Sequence, residues 1–249
     1  MSTVDKPYSG IRACQVIILR MNFTTIGYAL LAGILPALLW LWFWLKEDNL
    51  HPEPKSLIFG TFMAGAIMVL FAIVFEKFVG ELIVSTSYKY VAWAAIEELV
   101  KFAAVAIIAL RSKNMDEPID AMIYCITVAL GFAALENTLF ILSPLGEGDV
   151  IKTIITGNMR FVGATLVHIV STTVIGFMIG LTFYKGRFVR TFSALIGIII
   201  AIALHSAFNL SIINITATST LKVFAWVWCA IIILMILFEE IKVVKPKES

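Results

Sequence analysis

Charge is scarce in this chain. Of its 249 residues only 14% are Asp, Glu, Lys or Arg, while 60% are hydrophobic. A soluble domain carries about 25% charged and about 45–50% apolar residues, so a water-soluble globular fold is excluded. The formal net charge of +2 comes without a basic run, which leaves no footprint for nucleic acid. The three cysteines, Cys14, Cys125 and Cys229, lie far apart and form no CxxC pair. That argues against a zinc knuckle or a dithiol redox centre, and they read as small buried hydrophobes. Histidine occurs three times, never in an HExxH pair, so spacing alone does not announce a zinc site. A separate soluble module is absent too, because the connections between apolar stretches are short.

What the chain has is seven apolar segments long enough to cross a bilayer, which takes about 20 helical residues. They fall near 26–45, 57–75, 90–110, 119–143, 161–184, 191–214 and 220–238. The pattern predicts an all-α polytopic membrane bundle. Residues 1–25 form an interfacial segment, because their apolar run is too short for a span. Residues 26–238 form one transmembrane domain, and 239–249 a charged tail. The longest connection is Ser143 to Arg160, where Pro and Gly break the helix and the part after Gly148 could lie along the membrane surface. Loops one, three and five with the C-terminus hold ten Lys and Arg, against eight on the other side. This bias predicts an integral membrane protein with its C-terminus in the cytoplasm.

Polar residues within the spans are few and clustered. Span three carries Glu97, Glu98 and Lys101; span four Glu136 and Asn137; span five His168 and Thr172; span six His205 and Asn209. At 1.5 Å per residue, Glu97 and Glu98 lie about 11–13 Å below the face that bears loops two, four and six. Glu136 and Asn137 come out about 9–10 Å deep, His168 about 11 Å, His205 about 13 Å and Asn209 about 7 Å. The helices alternate in direction, yet all four islands reach one depth. A water-accessible polar cavity formed by spans three to six accounts for this. Lys101 lies one turn from Glu97 and three residues from Glu98, so it can pair with either and leave the other carboxylate free. Taken singly, a Glu–Lys pair is often structural, and a membrane His or Asn often joins helices. Their convergence favours function, because intramembrane ionisable groups are costly to insert. Glu76 is expected at the interface, Asp120 and Tyr124 at the start of span four, and the run Leu39 to Leu45 on the lipid-facing surface.

Together these stretches resemble the PrsW family of intramembrane proteases. The resemblance rests on "EELVK" (Glu97 to Lys101), "GFAALEN" (Gly131 to Asn137), the His168 segment and "HSAFN" (His205 to Asn209). The first loop adds an acidic residue followed by Pro-Glu-Pro within Trp44 to Gly65. The likeness runs from about residue 30 to residue 212 and places the chain near the CAAX prenyl endopeptidases. It implies a bacterial cell-membrane location and hydrolysis of a peptide bond in a membrane-anchored protein, as in the first cut of an anti-sigma factor. It carries over Glu97, Glu98, Glu136, His168, His205 and Asn209 as site residues, supported by Lys101, Asn137 and Thr172.

Two arrangements fit that chemistry. Without a metal, Glu97 or Glu98 is the general base for water, Lys101 keeps the other carboxylate ionised, His205 and Asn209 stabilise the oxyanion, and His168 orients the water. With one, a single Zn²⁺ is held by His168, His205 and Glu136, a set of ligands that leaves a position for water. Intramembrane carboxylates and histidines would also suit a transporter or proton pathway, although no paired broken helices mark one. A non-catalytic protein that binds a partner helix is the third class.

Overall fold

The computed structural model describes residues 22–47, 52–213 and 217–246. The expected interfacial segment, Cys14 and part of the first-loop signature lie largely or wholly outside them. Among the described residues every regular element is helical. In order they are α1 (Phe23–Glu47), α2 (Lys55–Leu82), α3 (Thr86–Ile108), α4 (Asp120–Gly146), α5 (Val150–Met159), a π-helical turn (Arg160–Ala164), α6 (Thr165–Leu181), α7 (Arg187–Ile213) and α8 (Ala217–Ile241). Six stretches are long and apolar enough to cross a membrane, with α5 and α6 counting as one stretch from Val150 to Leu181. Helix α3 is the exception. It has 23 residues, but its centre carries Glu97, Glu98 and Lys101, and burial inside the protein keeps all three from lipid.

The bundle is organised around α4. Its side chains are buried on nearly every side, from Asp120 to Ala134 without a break. Helices α1, α2 and α6 pack directly on it, and α3 lies across α2 and α7. Glycine sets these distances. A Cβ on Gly131 would overlap the carbonyl oxygen of Phe62, and one on Gly65 would overlap that of Val128. A Cβ on Gly176 would collide with the carbonyl of Ala121, fixing α6 against α4 in the same way. Close backbone approach of this kind drives helix association in lipid, where tails are as apolar as leucine. The outer helices α1, α2, α7 and α8 leave residues such as Leu31, Phe71, Ile199 and Ile232 exposed, as a lipid-facing surface requires.

Three expectations change on folding. Ser143 to Arg160 is not a loop. Helix α4 runs through Pro144 to Gly146, Gly148 turns the chain at φ +75°, and α5 starts at once. Asp149 caps α5 by accepting from the Lys152 N–H at 2.9 Å. The aromatic run in α1 is only half lipid-facing: Trp42 is exposed, but Trp44 is buried against Phe238 and Trp40 packs near Trp228. A helix turns 100° per residue, so seven consecutive apolar residues cannot all face one way. Cys125 is buried as expected, but Cys229 lies on the exposed side of α8.

At the opposite end from the site, Asp120 begins α4. Its Oδ2 accepts the backbone N–H groups of Asp116 (2.9 Å) and Glu117 (2.7 Å). The Tyr124 hydroxyl donates to Glu53, which ties the Pro-Glu-Pro segment to α4.

Candidate active site

Helix α3 presents Glu97, Glu98 and Lys101 within little more than one turn, and α6 and α7 bring His168 and His205 against them. Glu98 is fully buried and fully engaged. Its Oε1 lies 2.7 Å from Lys101 Nζ, 3.0 Å from Ser171 Oγ and 2.8 Å from His205 Nδ1. Its Oε2 accepts from Thr172 Oγ1 at 2.8 Å. One carboxylate therefore joins α3, α6 and α7.

The two imidazoles are held alike. His205 donates through Nδ1 to Glu98, which leaves Nε2 bare. His168 has Nε2 2.8 Å from Glu136 Oε2, and Lys101 Nζ lies 2.9 Å from its Nδ1. An ammonium can only donate, so Nδ1 is the acceptor and Nε2 carries the proton. The rings stand perpendicular with centroids 5.0 Å apart. Both unprotonated nitrogens face Glu97: its Oε2 lies 3.7 Å from His168 Nδ1 and 3.8 Å from His205 Nε2, and Lys101 Nζ is 3.8 Å from the same oxygen. That oxygen is buried and has no hydrogen-bond partner.

Glu136 lies at the rim. Arg160, on the π turn, approaches Glu136 Oε2 at 2.5 Å and Asn137 Oδ1 at 2.5 Å. The Asn137 amide donates to Thr165 Oγ1 at 2.9 Å. Side-chain exposure is 18% at Glu136 and 14% at Arg160, against 0% at Lys101, so the cluster is uncovered by protein at this pair. Glu76, near the end of α2, lies within electrostatic reach of Glu136 and Lys101 and so borders the cluster.

The family model described as PrsW family intramembrane metalloprotease matches residues 53–237 and so covers every one of these groups. The chain belongs to the PrsW family. It is an integral membrane protein of a protease family. "Protease PrsW" of Geobacillus kaustophilus is 29% identical over 153 residues, 60% of this chain and 64% of that protein. "Protease PrsW" of Bacillus subtilis is 23% identical over 72% of this chain and 79% of its own length. "Protease PrsW" of Clostridioides difficile is 26% identical over 72% and 76% respectively. No solved structure matches the chain.

The PrsW family's metalloprotease description sets a test for the donor set. Glu97, His168 and His205 offer one ligand atom each, all within 4.8 Å of one another. Tetrahedral zinc ligands about 2.0–2.1 Å from the ion stand about 3.3–3.4 Å apart, so the 3.7 and 3.8 Å from Glu97 to the imidazoles need a small contraction, and the two imidazole nitrogens, within 4.8 Å of each other, close on the ion by turning their rings. The orphaned Glu97 oxygen and two imidazoles, each anchored by a carboxylate behind it, are what a metal-binding set requires. Lys101 would have to release His168 Nδ1 while keeping Glu98. The residues fit a divalent cation. Glu97 takes the place that the sequence suggested for Glu136, whose carboxylate is occupied by Arg160 and stands behind His168.

The cluster thus unites Glu97, Glu98, Lys101, Glu136, Asn137, His168, Thr172 and His205. Asn209 sits one turn beyond His205, partly buried, and bonds none of them. Ser171 and Arg160 were not singled out from sequence. Ser171 was detectable, lying three residues from His168 on the same helix face; Arg160 was hidden by the apparent loop.

Proposed function

We propose that the chain cleaves a peptide bond in a membrane-anchored protein, in the manner of the first cut in an anti-sigma factor, within a bacterial cell membrane. The observation that carries this reading is the buried Glu97 Oε2, which makes no hydrogen bond and faces two unprotonated imidazole nitrogens. Glu97, His168 and His205 would hold a single Zn²⁺, which when bound lowers the pKa of a water toward about 7 and polarises a carbonyl. Glu97 Oε1, which makes no hydrogen bond among the described residues, accepts a proton from the water whose oxygen attacks the carbonyl carbon. The same proton passes to the amine nitrogen as the C–N bond breaks. Glu98 keeps His205 in one tautomer, and Glu136 does so for His168. Asn209 is the candidate donor to the oxyanion.

A metal-free form of the same reaction has its own support, because Lys101 already places a positive charge 2.9 Å from His168 Nδ1. Glu97 is the base in both. The test is to reconstitute the purified protein with single-span membrane proteins of its host and to map new termini by mass spectrometry. Cleavage near the membrane interface, lost in Glu97→Gln, supports the proposal. Absence of cleavage, or equal cleavage by the variant, overturns it. Exhaustive chelation followed by Zn²⁺ return separates the two forms.

A further inference from the structure

The π turn between α5 and α6 has a geometric effect on the site. Its Thr165 N–H reaches back five residues to the carbonyl of Arg160 instead of four. In a regular α-helix, residues eight apart differ by about 80° in azimuth. The wider turn winds about one residue less, which brings Arg160 within about 20° of the azimuth of His168. Arg160 is thereby delivered to the side of α6 that faces the cluster, although α5 itself has no buried residue. There its guanidinium lies 4.0 Å above the Phe140 ring and grips two neighbouring α4 side chains at once, Glu136 and Asn137. Glu136 Oε2 is the atom that also meets His168 Nε2.

We propose that Arg160 is a positioning residue: it fixes Glu136 Oε2 against the His168 Nε2–H, so that the ring, whose tautomer Lys101 sets from the other side, turns its unprotonated Nδ1 toward Glu97. The geometry adds a role for Asn137, which passes the restraint to Thr165 at the start of α6 and so ties the π turn to α4. Lysine could reach Glu136, but it cannot hold two acceptors in a planar fork, so Arg160→Lys should restore the function only in part. The inference rests on the reading of His168 as a site residue, but its test does not depend on cleavage.

Only three histidines occur in the chain, so ring ¹⁵N signals of histidine-labelled protein in detergent can be assigned with His168→Gln. In the parent protein, His168 should show a single Nε2-protonated tautomer. Arg160→Ala should shift the Nε2 signal as its hydrogen bond to Glu136 loosens, with Lys101 still holding the tautomer, and Arg160→Lys should return most of the parent pattern. Arg160→Gln, which keeps a donor for Asn137 but removes the charge from Glu136, serves if the alanine variant does not fold; it too should shift the Nε2 signal. With an internally quenched peptide spanning the mapped cleavage site, Arg160→Ala should lower kcat about 10–100-fold with KM nearly unchanged. Unchanged His168 signals in both the Ala and Gln variants would overturn the proposal. If the parent protein cleaves nothing, the proposed function fails, yet the ring signals still decide the role of Arg160.

Discussion

Glu98 receives Lys101, Ser171, Thr172 and His205, whereas Glu97 keeps one buried oxygen without a hydrogen bond and 3.8 Å from Lys101, although the two are adjacent in sequence. Their substitutions should therefore separate stability from turnover. Glu98→Gln leaves the Lys101 ammonium buried beside a neutral amide, and breaking a buried pair in this way costs about 3–5 kcal/mol. A large loss of thermal stability in detergent is expected. Glu97→Gln removes no hydrogen bond, so unfolding should shift little while turnover falls about 10²–10⁴-fold. A stable but active Glu97→Gln protein would assign the base elsewhere. At the opposite face, Glu53 has its pKa raised above 4.5, chiefly by burial; hydrogen bonds from Tyr124 and Asp120 oppose the rise, and the charges of Asp116 and Glu117 add to it. A carboxyl that binds its proton more tightly when folded stabilises the fold fully below pH 4.5, and that contribution is lost as pH rises through the raised value. Glu53→Gln should flatten this part of a melting-temperature profile against pH. An unchanged profile would place the dependence in other groups.

Helix α4 is held by glycine contacts, and a single methyl group tests them. Gly131→Ala would drive a Cβ into the Phe62 carbonyl, and backbone cannot move aside as a flexible side chain can. Separating α2 from α4 should cost about 1–3 kcal/mol in detergent unfolding, whereas Gly60→Ala, with nothing near its Cβ, should be neutral. Equal effects at the two positions would mean that close approach does not govern stability here. The helices themselves were legible because apolar runs of about 20 residues need no tertiary information. Helix α5 was not, because Pro144, Gly146 and Gly148 look like a broken segment, while only Gly148 turns the chain. The meeting of Glu97, Glu98, His168 and His205 was legible through equal depth, which follows from rise per residue alone. Which glutamate faces both imidazoles was not, because adjacent helical residues point about 100° apart and the rotation of α3 is set by packing. Arg160 depends on a π turn, for which the sequence carries no plain signal.

At the scale of the whole molecule, every site residue hangs from one end of the bundle. Glu97 is eleven residues from the start of α3, Glu136 ten from the end of α4, and His205 eight from the end of α7, which places them about 12–17 Å from that end. The continuous stretch from Val150 to Leu181 has 32 residues, about 48 Å of helix, against a hydrocarbon core of about 30 Å. Its surplus lies at α5, whose Val150, Ile151, Ile154 and Ile155 are exposed, so α5 sits at the interface beside the Glu136–Arg160 opening. The opposite end carries Lys185, Arg187 and Arg190 between α6 and the first turn of α7. The basic-residue bias, ten against eight, predicts that end in the cytoplasm, and on that prediction the site lies in the outer half of the membrane. Both orientations share one fold and differ only in which end meets the cell exterior, so accessibility decides between them. In a cysteine-free background, which the exposed Cys229 makes necessary, Lys152→Cys should react with an impermeant maleimide added to intact cells. Lys185→Cys should react only after the cells are opened. The reverse pattern would turn the site toward the cytoplasm and end the comparison with anti-sigma-factor cleavage, because a substrate cut outside the cell could not reach it; the Glu97 chemistry would be unaffected.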